Sequence, residues 1–329
     1  MKKALITGIA GQDGSYLAEL LLEKGYEVHG IELPVPDGEE RRLDNIAQIR
    51  GRLSLSFGSV ADAAFLAGVI ERVRPDECYH LAAASFVSYL FEEEAATLNN
   101  NLQSQHCLLA TLKQLAPQCR LFFAGTSEMF GAVTASPQNE QTAFNPRSIY
   151  GISKVAGHHL LDYYRKQHGL LACTGILYNH ESPRRGLQFV TRKITATAAS
   201  ISRGLEQKLY LGNLDAVRDW GSASDYVRAM WLMLQQDVPA DYVIATGENR
   251  SVREFVDAAF RRVGLDYREY VEVDPRFYRE TEPVALCGDC SRLEGELGWQ
   301  RLKSFEEIVA EMVERDLVLL SADPAAGEK

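Results

Sequence analysis

The chain has 329 residues, 46% hydrophobic and 24% charged, which excludes a disordered or collagen-like polymer and leaves apolar material for a full core. Its 35 lysines and arginines against 45 aspartates and glutamates give a net charge of −10, so no overall field draws it to nucleic acid or to an anionic membrane. No apolar run approaches the ~18–20 residues of a spanning helix, and the apolar stretch after Met1-Lys2-Lys3 is too short for a signal peptide.

The predicted elements alternate in type through the first half. Lys3–Thr7 reads as a short apolar strand. Ser15–Lys24 follows as a helix, with Tyr16, Leu17, Leu20 and Leu21 at helical spacing. Strands are expected at Glu27–Ile31, Leu53–Phe57, Glu77–Leu81 and Arg120–Ala124, with helices at Asp62–Val73 and Thr97–Leu115 among them. A helix over Ile149–His168 then precedes a strand at Ala172–Tyr178. Alternation with short linkers predicts an α/β chain built on a Rossmann-type doubly wound parallel sheet. The second half is less regular. Helices are expected at Phe189–Arg203, Ser224–Gln235, Val252–Val263 and Phe305–Leu319, and short strands at Leu209–Leu211 and Val243–Ala245.

Thr7-Gly8-Ile9-Ala10-Gly11-Gln12-Asp13-Gly14 links the first strand to the first helix. Glycines at 8, 11 and 14 suit a tight turn, close approach of backbone to a pyrophosphate, and close packing of helix on strand. The helix start adds free N–H groups and a positive dipole end. A dinucleotide site is therefore expected here. Residues 1–178 then form the dinucleotide-binding domain, 179–320 mainly a smaller C-terminal α/β substrate-binding domain with some elements returning to the first, and 321–329 a flexible tail. Glu32 ends the second strand, about 20 residues after the glycines, where an acidic side chain binds a ribose 2′-OH. A carboxylate there repels a 2′-phosphate, which favours NAD over NADP.

Six cysteines, at 78, 107, 119, 173, 287 and 290, are scattered along the chain and are expected to be reduced, as in a cytoplasm. Cys287-Gly288-Asp289-Cys290 lacks the second pair of ligands a structural zinc needs, so packing is expected there and no metal.

Tyr150-Gly151-Ile152-Ser153-Lys154 places a phenol and an ammonium four residues apart on one helix face. The ammonium is expected to lower the tyrosine pKa, so that the phenol can take a proton from a sugar hydroxyl while hydride leaves the same carbon. Thr126-Ser127-Glu128 follows the strand Arg120–Ala124, at the end of the sheet where such folds bind ligands. Thr126 is expected to bond a substrate oxygen, and Glu128 to serve as a second acid or base.

With TGxxGQDG, TSEMFG, PRSxYGxSK, LYNHESPRRG, FVTRKI, LGNLDAxRDWG and DYVxATG together, the chain resembles the GDP-mannose 4,6-dehydratase family of extended short-chain dehydrogenases/reductases, from Lys3 to about Leu317. The resemblance implies conversion of GDP-mannose to GDP-4-keto-6-deoxymannose by oxidation at C4, loss of water across C5 and C6, and return of hydride to C6. It implies Thr126, Glu128, Tyr150 and Lys154 as catalytic residues. For the cofactor, NAD or NADP, it implies Gly8, Gly11, Gln12, Asp13, Gly14, Glu32, Ser59, Val60, Leu81, Ala83 and His180 beside Tyr150 and Lys154. For the substrate it implies Ser85, Asn179, Lys193, Arg218, Arg279 and Glu282. A homodimer is implied, with a tetramer as the alternative.

The sequence departs from the family in places. Ile31-Glu32-Leu33-Pro34-Val35-Pro36 stands where relatives usually carry an arginine-rich loop that grips the NADP phosphate. Ser59 replaces an acidic residue near the adenine, Glu280 replaces a proline beside Arg279, and Tyr89-Leu90-Phe91 is unusual near the sugar. These changes leave open a different hexose or a heptose. A C4 epimerase or 4-keto reductase, which needs Tyr150 and Lys154 but no base for C5, is the alternative reading.

Overall fold

The structure, a computed structural model, describes residues 1–36, 38–84, 91–277 and 284–322. The first half runs β1 (Lys3–Thr7), α1 (Gln12–Glu23), β2 (Glu27–Glu32), β3 (Leu53–Phe57), α2 (Ala63–Val73), β4 (Glu77–His80), α3 (Phe91–Leu115), β5 (Arg120–Ala124), α4 (Ile149–His168) and β6 (Ala172–Leu177). The second half runs β7 (Asn179–Glu181), α5 (Val190–Ser202), β8 (Leu209–Leu211), β9 (Val217–Ser222), α6 (Ala223–Leu234), β10 (Tyr242–Ile244), β11 (Asn249–Ser251), α7 (Val252–Arg262), β12 (Val271–Val273), α8 (Ser291–Leu297) and α9 (Phe305–Ala322).

Among the described residues, seven strands form one parallel sheet in the order β10-β6-β5-β4-β1-β2-β3. Its central strands are apolar on both faces because helices cover both. Side chains alternate along a strand, so neighbours in sequence serve opposite cores. Leu5, Leu121 and Phe123 pack with Val69 of α2, Leu109 of α3 and Leu161 of α4. Ala4, Ile6 and Phe122 pack with Leu17 and Leu21 of α1 and Met230 of α6. The chain leaves β1 toward β2 and β3, then returns to lay β4 on the other side of β1. This reversal opens a crevice beyond the ends of β1 and β4, the usual ligand position in such sheets.

The later elements build two things. α6 and β10 complete the large sheet, β10 pairing with β6 at Val243 and Ile176. A smaller core forms from α5, α7 and α9, where Ile194, Phe255, Phe260 and Met312 are fully buried. A three-stranded sheet in the order β11-β9-β7 bridges toward the crevice, and β12 pairs with β8. Arg192 and Asp316 tie α5 to α9 through a buried ion pair.

Several expected elements coincide with the structure residue for residue, among them β5, α4 and β8. The expected helix at Ser15 begins earlier, at Gln12, and that at Thr97 begins at Phe91. β7, β9, β11, β12 and α8 were not anticipated. Each of these is short or polar, as in Asn179-His180-Glu181, and none carries a period that separates it from a loop.

Candidate active site

The glycine-rich turn works through the atoms its glycines lack. Gly8 has φ +72°, and a Cβ there would press to 3.0 Å from the Ala82 backbone. At Gly14 a Cβ would lie 2.3 Å from the Gly8 carbonyl oxygen, so only glycine lets α1 pack this closely on the turn. Gly11 caps α1 with no side-chain bond, which leaves first-turn N–H groups directed at the crevice. Thr7 closes the opposite side. Its Oγ1 accepts the N–H groups of Leu81 at 3.2 Å and Ala82 at 3.1 Å, so its proton goes to His80 Nδ1, 2.8 Å away. Burial holds His80 neutral, its pKa pushed down to about 3.

Glu32 sits at the end of β2, beside this turn. Its carboxylate accepts the Ala10 N–H at 3.2 Å and the Leu33 N–H at 3.0 Å. Ser59 is exposed and accepts the Ala61 N–H, while Val60 is buried beneath it. Leu81 and Ala83 lie half-buried on the segment after β4.

Gln12 and Asp13 turn away from bulk solvent toward the segment after β6. Gln12 donates to the His180 carbonyl at 3.0 Å and accepts from Ser182 Oγ at 2.8 Å. Asp13 lies 2.9 Å from the His180 ring.

The groups expected to carry the chemistry lie on the turn after β5 and at the start of α4. Thr126 caps a single 3-10 turn, Ser127–Met129, by accepting the Glu128 N–H. Ser148 caps α4 through the Gly151 N–H at 3.0 Å, and Gly169 ends it in the left-handed region. The two pieces meet at Gly151. A Cβ there would stand 2.6 Å from the Glu128 carbonyl oxygen, so the missing side chain brings the start of α4 against the loop. Tyr150 consequently lies near enough to the Thr126 side chain and the Glu128 carboxylate for both to act on its titration.

The expectation that Lys154 lowers the Tyr150 pKa is not met. Burial first, and then the Glu128 charge, push the phenol up to about 12, against smaller opposing effects of Thr126 and Arg185. Lys154 is itself buried, with Nζ donating to the Ala124 carbonyl at 2.8 Å, and lies 5.8 Å from the centre of the Tyr150 ring. Desolvation lowers its pKa to about 8.

Asn101 of α3 was not anticipated. It donates to Ser153 Oγ at 3.1 Å and accepts the Ala84 N–H at 3.0 Å, joining α3, α4 and the segment after β4. Ser153 in turn donates to the Tyr150 carbonyl at 2.7 Å. The only trace in the sequence is a run of three asparagines, 99 to 101, in an otherwise helical pattern.

Asn179 is half-buried on β7, paired in register with Trp220 of β9. Lys193 donates to the Tyr210 carbonyl at 2.7 Å and lies 4.2 Å over the Phe277 ring. Arg218 donates to its neighbour's carbonyl, Val217, at 2.7 Å. Ser85, Arg279 and Glu282 lie outside the described residues. Asp219 and Trp220, part of a distinctive motif, have internal partners. Asp219 accepts from the Thr246 hydroxyl and the N–H groups of Thr246, Gly247 and Gly288, and Trp220 packs on Phe255 and Phe305. All six thiols are free, and burial raises those of Cys287 and Cys290 to about 11 and about 12. Among the described residues, no helix is long and apolar enough to cross a membrane.

A family model described as GDP-mannose 4,6 dehydratase matches residues 5–312. GDP-mannose 4,6 dehydratase 1 of Arabidopsis thaliana is 47% identical over 327 residues, spanning 97% of this chain and 90% of that protein. The Homo sapiens GDP-mannose 4,6 dehydratase is 43% identical over 347 residues, 98% of this chain and 93% of that one. Among solved structures, the dTDP-glucose 4,6-dehydratase of Bacillus anthracis in complex with NAD superposes with a TM-score of 0.83 at 20% identity, covering 96% of each chain. At that identity the likeness is one of fold.

Proposed function

Since the chain belongs to the GDP-mannose 4,6-dehydratase family, we propose that it converts GDP-mannose to GDP-4-keto-6-deoxymannose, a redox-neutral loss of water with a nicotinamide dinucleotide as its cofactor. The observation that carries this reading is the convergence of Thr126, Glu128 and Tyr150 from two separate elements at the mouth of the crevice. A C4 epimerase or ketoreductase has no need of a carboxylate at that place.

The residues present fit the cofactor. The turn at Gly8, Gly11 and Gly14 has no side chain where a pyrophosphate approaches, and α1 offers its first-turn N–H groups. Glu32 keeps lone pairs for ribose hydroxyls beyond the two backbone donors it already accepts. The same carboxylate supports NAD over NADP through repulsion of a 2′-phosphate. Lys154 and His180 border the remainder of the site, with Ser59, Val60, Leu81 and Ala83 beside it.

When bound, oxidised NAD supplies a hydride acceptor and a positive charge, the charge that a phenol raised to about 12 needs to release its proton. Tyr150 takes the C4 hydroxyl proton, and Thr126 holds O4 in line with it. The C4 ketone acidifies the proton on C5. Glu128 removes that proton and delivers it to the C6 hydroxyl, which departs as water; hydride then returns to C6, restoring the oxidised cofactor, while Glu128 passes a solvent-derived proton to C5. Lys154 anchors the start of α4 to the end of β5 through Ala124 and so fixes the phenol. Asn179, Lys193 and Arg218 lie toward the smaller core and suit the sugar and the dianionic diphosphate. Ser85, Arg279 and Glu282 are proposed for the same substrate.

The α3–α4 layer supports a homodimer. Ile152 and Tyr163 are exposed and lie three helical turns apart on one stripe of α4. Six free thiols support a reducing compartment such as the cytoplasm. Incubation with a panel of nucleotide hexoses, followed by mass spectrometry, tests the assignment. A product 18 mass units below GDP-mannose supports it, whereas dehydration of another nucleotide sugar alone refutes the substrate.

A further inference from the structure

Between α1 and β7 lies a polar pair, a buried His180 and a half-buried Asp13, whose proton count the geometry fixes. His180 Nδ1 is 2.7 Å from the Tyr178 carbonyl oxygen, and Nε2 is 2.9 Å from Asp13 Oδ2. A carbonyl accepts only, so Nδ1 carries a hydrogen. The Asp13 contact then needs a second proton between carboxylate and ring. The surroundings decide which group owns it. Burial opposes charge on both groups, but the ring of His180 lies against the carboxylate, Gln12 Nε2 donates to the other Asp13 oxygen at 3.2 Å and the Arg185 cation acts on the same group, so the balance favours the ionised form of Asp13. His180 is 8% exposed, with the Tyr226 ring of α6 tilted against it at 4.7 Å. Arg185, which opposes a charge on His180, is itself drawn to Glu181 at 3.3 Å. Tyr150 of α4 feels the Asp13 charge as well.

The pair sits inside a closed network. Gln12 donates to the His180 carbonyl and accepts from Ser182 Oγ, while Arg184 reaches back to Ser15 at 3.0 Å and Glu19 at 2.6 Å. Every one of these bonds joins the glycine-rich turn and α1 to the segment 178–184, which carries Asn179. The ion pair is the one charge-assisted bond among them that lies at the turn itself.

We propose that Asp13 is a positioning residue. By holding His180 as an imidazolium, it clamps the Asn179–Glu181 strand to the dinucleotide-binding turn, so that the cofactor-facing and substrate-facing elements keep one fixed separation. The inference rests on the dinucleotide reading of the turn, but the state of the proton does not.

The test uses the full chain labelled with ¹⁵N-histidine, with His180→Asn to assign the resonance. In the unliganded parent at pH 7.5, His180 is expected to show two protonated ring nitrogens. In Asp13→Asn it is expected to titrate at least one pH unit lower. NAD binding, followed by protein fluorescence, is expected to weaken about tenfold in each single variant. The double variant is expected to be no weaker than about twofold beyond either, because one interaction is lost only once. A neutral His180 ring in the parent, or an unchanged titration in Asp13→Asn, overturns the proposal. Losses that multiply in the double variant overturn the clamp. If Asp13→Asn does not fold, the parent spectrum and His180→Asn binding decide alone. Failure of the parent to bind either dinucleotide is a failure of the proposed function, and the spectra separate that result from failure of the pair.

Discussion

Gly151→Ala is a one-carbon change that tests how the site is assembled. The added Cβ would meet the Glu128 carbonyl oxygen at 2.6 Å and Pro146 Cβ at 3.1 Å. Both lie on the loop that carries the acid, and a backbone carbonyl cannot rotate away as a side chain does. Restoring an ordinary contact of 3.4 Å requires α4 and the loop to part by about 0.8 Å. The conformation of Gly151 is helical, so alanine gains roughly 0.5–1 kcal/mol of helix stability. Overpacking costs about 1–3 kcal/mol, which leaves the fold intact. The rate is far more sensitive, because a misplacement of about 1 Å at reacting groups costs roughly 100-fold. Gly151→Ala is therefore expected to lower kcat by about 10- to 100-fold, with the melting temperature within a few degrees of the parent. Steady-state assay of 4-keto product, beside thermal unfolding by circular dichroism, measures both. Full kcat in a folded variant would show that contact across Gly151 does not set the spacing of Tyr150 and Glu128.

Lys154, with its pKa near 8, loses its proton as pH rises through that value. The parent's kcat is expected to fall above about pH 8, and the residual activity of Lys154→Met to be flat from pH 7 to 9. An unchanged alkaline limb in that variant would assign the titration to another group. Glu32→Ala is expected to reduce the ratio of NAD to NADP affinity about tenfold, roughly 1.4 kcal/mol, by isothermal titration. An unaltered ratio would make Glu32 only a support for the turn. Asp219→Ala leaves the Thr246, Gly247 and Gly288 N–H groups without their carboxylate. It is expected to cost about 3–5 kcal/mol in urea unfolding, and a loss under 1 kcal/mol would show that water replaces the carboxylate.

The regular α/β frame was legible because buried parallel strands such as Leu121-Phe122-Phe123 are continuous apolar runs, and α4 is bracketed by Ser148 and Gly169. Thr126, Glu128 and Tyr150, whose catalytic roles are proposed, were visible as residue types beyond a strand end, and the fold brings them together. What the sequence did not disclose depends on approach in three dimensions. Gly151 reads as an ordinary helical glycine until the Glu128 carbonyl is set against it. Asn101 lies 52 residues from its Ser153 partner. Asp13 and His180 were separately expected near the cofactor, but their pairing across 167 residues follows from the fold alone. The Tyr150 pKa is raised by burial and the Glu128 charge, opposite to expectation, for a similar reason. Four-residue spacing puts Lys154 on the same face, but it does not say that the ammonium is bonded to Ala124 or that the Glu128 carboxylate stands nearer in effect. β7 and β9 stayed hidden because Asn179-His180-Glu181 and Val217-Arg218-Asp219 look like loops until they pair.

The dehydration itself is open to direct observation. With GDP-mannose and NAD in deuterated water, the parent is expected to form a 4-keto-6-deoxy product carrying deuterium at C5, read by proton NMR and mass spectrometry. Glu128→Gln is expected to bind NAD normally and to form none. Turnover without deuterium at C5, or full product formation by Glu128→Gln, would contradict a C5 proton transfer by Glu128.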